Sequence, residues 1–195
     1  KNNEFDKKYN YLFNSKTVLY AGALGKLNGV NYLVEIAKYL KEQKNIKIII
    51  VGDGFEREQI KTNAIKSSLL NENVFIFDKL KKTEIVYFFN KCTVSCSLFV
   101  DIKEMWSNSA NKYFDAMAAK KPVMINYLGW QAALIKRYKT GFIIPPDNSE
   151  EAASLIKEKI YDEKGLIEMG QNNYYLGKKY FDRDILYKKL NKIIS

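Results

Sequence analysis

Histidine is absent from this 195-residue chain. That excludes a Ser-His-Asp triad, a Cys-His pair and every histidine-ligated metal site within it. Two cysteines are too few for a disulfide framework, which accords with a reducing compartment. Cys92 and Cys96 lie four apart, too far for a disulfide along a strand, and two thiols without further ligands make no zinc site; both read as core. No apolar run approaches the ~18 residues of a membrane span, and the polar start Lys1–Tyr9 is no signal peptide. The chain is therefore expected to be soluble and cytoplasmic. Repeats and low-complexity linkers are also lacking. Arginine is scarce, at 3 against 29 lysines, which speaks against a nucleic-acid reader built on guanidinium forks.

The charge that is present is unevenly spread. Of the net +10, residues 79–139 carry +7, residues 1–78 carry +3 and residues 140–195 carry none. A basic middle suits an anionic ligand, a nucleic acid or an anionic membrane surface; it equally suits a surface whose charge is simply spelled as lysine. The length fits one ordinary domain or half of a two-domain protein, and folding at this size hides roughly 70% of the chain's surface.

Short apolar runs alternate with helical stretches six times. Strands are expected at Thr17–Ala21, Ile46–Val51, Asn73–Phe77, Val94–Phe99, Pro122–Asn126 and Phe142–Ile144. Helices are expected from Val30 to Leu40, over Phe55–Ser67, from a Thr83 cap to Lys91, over Ala110–Lys120 behind a Ser109 cap, over Trp130–Tyr138 and from Ser149 onward. Two more follow near Lys164–Tyr175 and Asp182–Ile194. This alternation predicts an α/β, Rossmann-like fold: a parallel six-stranded sheet with helices on both faces, in the order 3-2-1-4-5-6. Ligands in such sheets bind beyond the carboxyl ends of the first and fourth strands, at the switch point. The loops Gly22–Gly29 and Val100–Asn108 fall there, the second inside the basic segment.

Three glycines in the first loop, at Gly22, Gly25 and Gly29, allow close backbone approach to a phosphate or sugar, or serve only a tight turn; the spacing is neither Gly-x-Gly-x-x-Gly nor a P-loop. In Ser107-Asn108-Ser109-Ala110-Asn111-Lys112-Tyr113-Phe114-Asp115, small polar residues open a helix whose free N–H groups suit a diphosphate. Lys112 adds charge in its first turn. Asn111 and Asp115 share a face, where a carboxylate accepts from two vicinal hydroxyls such as those of a ribose; a cap and a solvated acid explain the same residues. Trp106 and Trp130 suit stacking on a base or sugar, or packing. Lys79, Lys81 and Lys82 suit a nucleotide or a solvated turn.

Taken in order, Tyr20-Ala21-Gly22 to Gly29-Val30, Ile50-Val51-Gly52-Asp53-Gly54, Asn73–Leu80 and Asn111–Pro122 resemble the C-terminal, nucleotide-sugar-binding half of the retaining glycosyltransferases of family 4, which have the two-domain GT-B fold. The resemblance runs from about Val18 to Pro146. The wording from Ser109 to Pro122 is similar to a bacterial surface-polysaccharide branch that includes L-fucosamine transferase-like proteins. The resemblance implies that Asp115 binds the ribose hydroxyls, that Asn111 and Lys112 face the diphosphate, that Gly22 and Gly25 approach the phosphates and sugar, and that Leu80 supplies a backbone contact to the base. Ser107, Asn108 and Ser109 complete the donor-binding set. Two departures stand out. The family's first-loop Arg and Lys fall at Ala23 and Asn28, leaving Lys26 or Lys112 to compensate. The first motif Glu falls at Ser107.

The resemblance further implies a hexosyltransferase-type enzyme with a nucleoside-diphosphate sugar donor, UDP-linked by preference, and neither cofactor nor metal. The acceptor is a glycan or lipid-linked saccharide of capsule or lipopolysaccharide synthesis. It would be held by an N-terminal half that this chain lacks and that supplies most catalytic residues. Residues 1–16 are then an approach from that half, and 17–195 the donor domain with its C-terminal helices. The full enzyme is expected at the inner face of the cell membrane, as a peripheral protein that binds no nucleic acid, and this chain alone is expected to be inactive. Competing readings are a sugar-nucleotide epimerase of the same fold and a basic polyanion-binding module. A concave lysine-lined cleft favours a nucleotide, and a flat basic face favours a polyanion.

Overall fold

Alternate residues of the central strands are buried on opposite sides, which only a sheet covered on both faces allows. Val18, Tyr20, Ile48 and Ile50 join one core, and Leu19, Ile49 and Val51 join the other. The strands are β1 (Lys16–Ala21), β2 (Ile46–Val51), β3 (Val74–Phe77), β4 (Val94–Ser97), β5 (Val123–Ile125) and β6 (Gly141–Ile143). They form one sheet in the order β3-β2-β1-β4-β5-β6, every pairing parallel. The computed structural model describes residues 2–194, and for residues 2, 3, 189, 190 and 192–194 the backbone alone. Lys1 and Ser195, the outer ends of the expected approach and donor domain, lie outside the described residues.

The helices are α1 (Asn2–Phe13), α2 (Asn31–Tyr39), α3 (Arg57–Lys66), α4 (Lys82–Lys91), α5 (Asn111–Ala118), α6 (Trp130–Tyr138), α7 (Ser149–Ile160), α8 (Glu163–Leu176) and α9 (Arg183–Ile194). On one face of the sheet, α2 buries Leu33, Val34, Ile36 and Ala37 beside Ala152, Ala153, Ile156 and Ile160 of α7. On the other, α4 packs Tyr87, Phe88 and Phe89 on β1, β2 and β3, while α5 and α6 cover β5. Glu150 and Glu151 stand in the first turn of α7, and Asn148 caps it by accepting the Glu151 N–H at 3.0 Å.

Residues 1–16, expected only as an approach, are mostly helix. Tyr9 and Leu12 of α1 are buried against Phe77 and Phe88, and the Tyr9 hydroxyl donates to Glu84 Oε1 at 2.8 Å. Glu84 also accepts the Lys81 N–H, so α4 opens at Lys82 and Thr83 is not its cap. The fourth strand stops at Ser97 rather than Phe99. The Asn126 side chain takes both backbone groups of Phe99, accepting its N–H at 3.0 Å and donating to its carbonyl at 2.9 Å, which lifts Phe99 out of the ladder. The helix expected over Ala110–Lys120 covers Asn111–Ala118, and Ser109 does not cap it. Asn108 Oδ1 instead accepts the Ala110 N–H at 3.1 Å. Cys92 and Cys96 are free and buried.

Candidate functional site

The carboxyl ends of β1, β2 and β3, with α4 and α5 beside them, enclose a cleft of about 550 Å³. Its walls come from four stretches of sequence: Ala21–Ala23, Val51–Gly54, Lys79–Leu80 with Ile85 and Phe89, and Asp115. The two strand-end loops cross at contact distance. A Cβ on Gly52, whose φ is +154°, would lie 1.9 Å from the Gly22 carbonyl oxygen, so only glycine lets β2 close under the first loop. The hydroxyl of buried Tyr20 donates to the Ala23 carbonyl at 2.7 Å and fixes the loop's turn.

Of the residues expected from the sequence, Gly22, Leu80 and Asp115 line this cleft together. Asp115 is exposed to solvent, yet it stands in a concave wall where desolvation raises its carboxyl above the usual range, opposed by nearby Lys82. Lys112 approaches Gly22 from the α5 side. A Cβ on Gly22 would meet its Cε at 2.9 Å and its Nζ at 3.5 Å. The lysine is only 8% exposed, and its ammonium lies 4.7 Å from the Tyr20 ring centroid and 5.2 Å from that of Phe99. No carboxylate pairs with it among the described residues. Desolvation lowers its pKa to about 8.

The other expected residues lie apart from that group. Lys26 opens a 3₁₀ turn over Lys26–Asn28 just after Gly25, is exposed, and places its ammonium 5.0 Å from the Phe55 ring centroid. Ser107 is exposed at the end of a second 3₁₀ turn, Lys103–Ser107, where its hydroxyl donates to the Glu104 carbonyl at 3.1 Å. Asn108 bonds locally to Met105 and Ala110, and Asn111 is exposed at the start of α5. Ser109 borders a separate apolar groove of about 820 Å³ with Phe114, Trp130, Phe181 and Leu186. That groove is the larger, but it lies off the strand ends. Trp130 packs there against Phe114 and Phe181 and donates to the Asn108 carbonyl at 2.9 Å, the packing alternative for this residue.

Five lysines of the basic segment have different surroundings. Lys79 lines the cleft, Lys82 approaches Asp115, Lys112 is interior, Lys91 pairs with Asp6 at 2.8 Å and Lys120 covers Tyr174. Sequence reasoning did not find Tyr20, Phe99, Ile85 or Phe89. The 85/89 spacing on one face of α4 is the signal that marks the last two, since residues four apart on a helix are neighbours.

Comparison with known proteins agrees with this architecture. The family profile described as Glycosyl transferases group 1 matches residues 1–175. An uncharacterized glycosyltransferase of Methanocaldococcus jannaschii, MJ1607, is 25% identical over 162 residues, which cover 81% of this chain and 39% of that protein. The chain thus spans well under half of this relative. Among solved structures, Anabaena Alr3699/HepE in complex with UDP and glucose superposes with a TM-score of 0.82 at 18% identity, over 100% of this chain and 52% of that one. The C-terminal domain of the group 1 glycosyl transferase LpcC from Francisella tularensis gives 0.70 at 18% identity, covering 87% of each chain.

Proposed function

This chain belongs to the glycosyl transferases group 1 family, and on that premise we propose that it is the donor-binding domain of a retaining, family 4 type enzyme using a nucleoside-diphosphate sugar. One observation carries the reading. The cleft at the strand ends sets a carboxylate, Asp115, beside Gly22 of the first loop, and the buried ammonium of Lys112, which has no carboxylate partner among the described residues, lies against that same glycine. A nucleoside diphosphate asks for that combination: an acceptor for ribose hydroxyls, and a cation with close backbone approach for phosphates. Asp115 would hold the ribose, Gly22 and Lys112 would hold the diphosphate, and Leu80, Ile85 and Phe89 would form the base end. The UDP and glucose bound by HepE, which shares the fold, support a UDP-linked donor.

Donor and acceptor must meet in near-attack geometry, and that positioning supplies roughly 7–11 kcal/mol of barrier reduction. The acceptor, a glycan or lipid-linked saccharide of bacterial surface polysaccharide, and the main catalytic groups would come from a second domain. The full enzyme would act at the inner face of the membrane as a peripheral protein; among the described residues no helix is long and apolar enough to cross one. Open to water on one side, this half-cleft should bind UDP in the range of tens to hundreds of micromolar, about 5–6 kcal/mol.

A thermal-shift panel of nucleotides, nucleotide-sugars and heparin tests the reading. UDP and UDP-sugars should raise the melting temperature, and heparin should not. Stabilisation by heparin alone would favour the polyanion-binding module instead.

A further inference from the structure

Lys112 is a costly residue to bury, and among the described residues no carboxylate offsets its charge. The elements packed against it are β1, β4 with the residues just after it, and the first loop. Toward the ammonium they present the Tyr20 ring, the Cys96 thiol, the Phe99 ring and the backbone of Gly22. Tyr20 and Cys96 bring no negative charge, since burial pushes both far above their ordinary pKa values. On its own helix, Asp115 takes Lys82 as its electrostatic neighbour, and Asn111 is neutral and exposed. The ammonium therefore rests on two ring faces, weak partners compared with a carboxylate.

A buried ammonium held only by ring faces attracts an anion brought beside it, and the cleft residue that its side chain touches is Gly22. We propose that a nucleoside diphosphate binds here together with a proton taken up by Lys112, which serves as its interior counter-charge while Lys26 stays outside on Phe55. The inference rests on the donor-binding reading and adds to it a direction of pH control. With only ring faces beside it, burial lowers the pKa of the amine to about 8. A phosphate oxygen beside it holds the proton on, so binding weakens as the pH rises past that point, by up to about tenfold per pH unit. A glycine at position 22 is then part of the device, because a side chain there would displace the lysine from the loop.

The test is calorimetric titration of the 195-residue protein with UDP at pH 7 and pH 9, each in buffers of different ionisation enthalpy. UDP's terminal phosphate titrates near pH ~6 and is silent at pH 9. The expected result is uptake of close to one proton per UDP bound at pH 9 and little at pH 7. Lys112→Met should remove the uptake and weaken binding at pH 7 by about 10- to 100-fold, the cost of one charged hydrogen bond. Lys44→Met should do neither, since Lys44 precedes β2 at the opposite end of the sheet. Binding of UDP without buffer-dependent heat at pH 9, or uptake that persists in Lys112→Met, overturns the proton coupling and leaves the donor-binding reading standing. Failure of the folded wild-type protein to bind UDP at either pH overturns both.

Discussion

Replacing Lys112 by methionine should stabilise the protein while disabling its cleft. Burial moves the Lys112 pKa from 10.5 to about 8 in the folded chain. At about 1.4 kcal/mol per tenfold change in proton affinity, keeping the lysine charged inside costs about 3 kcal/mol. The Tyr20 and Phe99 rings, at 4.7 and 5.2 Å, are the nearest partners of the charge, and that cost is what remains with them in place. Methionine fills much the same volume with no charge, so Lys112→Met should gain up to about 3 kcal/mol at pH 7, or roughly 6–12 °C in melting temperature for a chain of this size. The sign of the pH dependence is fixed by linkage. Between pH 8 and 10.5 the unfolded chain holds a proton on this lysine that the folded chain has lost, so wild-type stability rises with pH across that window. The advantage of the variant should therefore shrink as the pH climbs from 7 toward 10. Tyrosines whose ionisation burial delays affect both proteins alike and cancel in the difference. Paired urea titrations at pH 7, 8.5 and 10 measure it. A less stable Lys112→Met protein at pH 7, or a stability gap independent of pH, would refute the reasoning.

Asp115→Ala should leave the far-ultraviolet circular dichroism unchanged and weaken UDP binding by about 10- to 100-fold, from loss of a charged hydrogen-bond acceptor; unchanged affinity in calorimetry removes Asp115 from the site. Gly52→Ala should cost about 3–4 kcal/mol in urea unfolding and abolish UDP binding, because the new Cβ would lie 1.9 Å from the Gly22 carbonyl oxygen; near-wild-type stability would show that the loop crossing yields easily. EDTA should leave UDP affinity unchanged, since helix N–H groups and a lysine suffice to balance the diphosphate; restoration of binding by Mg²⁺ after EDTA treatment would contradict this. Residues 1–195 alone should transfer no sugar from UDP-sugars to saccharide acceptors in a radiolabel assay, and robust transfer would show that the chain carries a complete active site.

The strand order was legible because it rests on periodicity. Six apolar runs separated by helical spacing leave few parallel topologies, and Val18/Leu19 or Ile48/Ile49 show the period of two directly. The position of the cleft followed from that order. Side-chain detail did not follow, because it depends on contacts distant in sequence. Phe99 leaves its strand because Asn126 binds both of its backbone groups, a pairing across 27 positions. α1 was missed because its stripe is short. Its burial depends on aromatic rings of α4 and β3 and on Glu84, 75 positions from Tyr9. Lys26 and Lys112 look equivalent as lysines in the two segments expected at the switch point. Only the fold turns one onto Phe55 at the surface and buries the other beneath Tyr20 and Phe99.

A crystal structure of this chain with UDP is the most direct test of the central claim. The diphosphate is expected between the Gly22 loop and Lys112, with the ribose hydroxyls on Asp115 and the base toward Leu80, Ile85 and Phe89. UDP bound in the apolar groove of Phe114, Trp130 and Phe181, or anywhere away from Gly22 and Asp115, would contradict it.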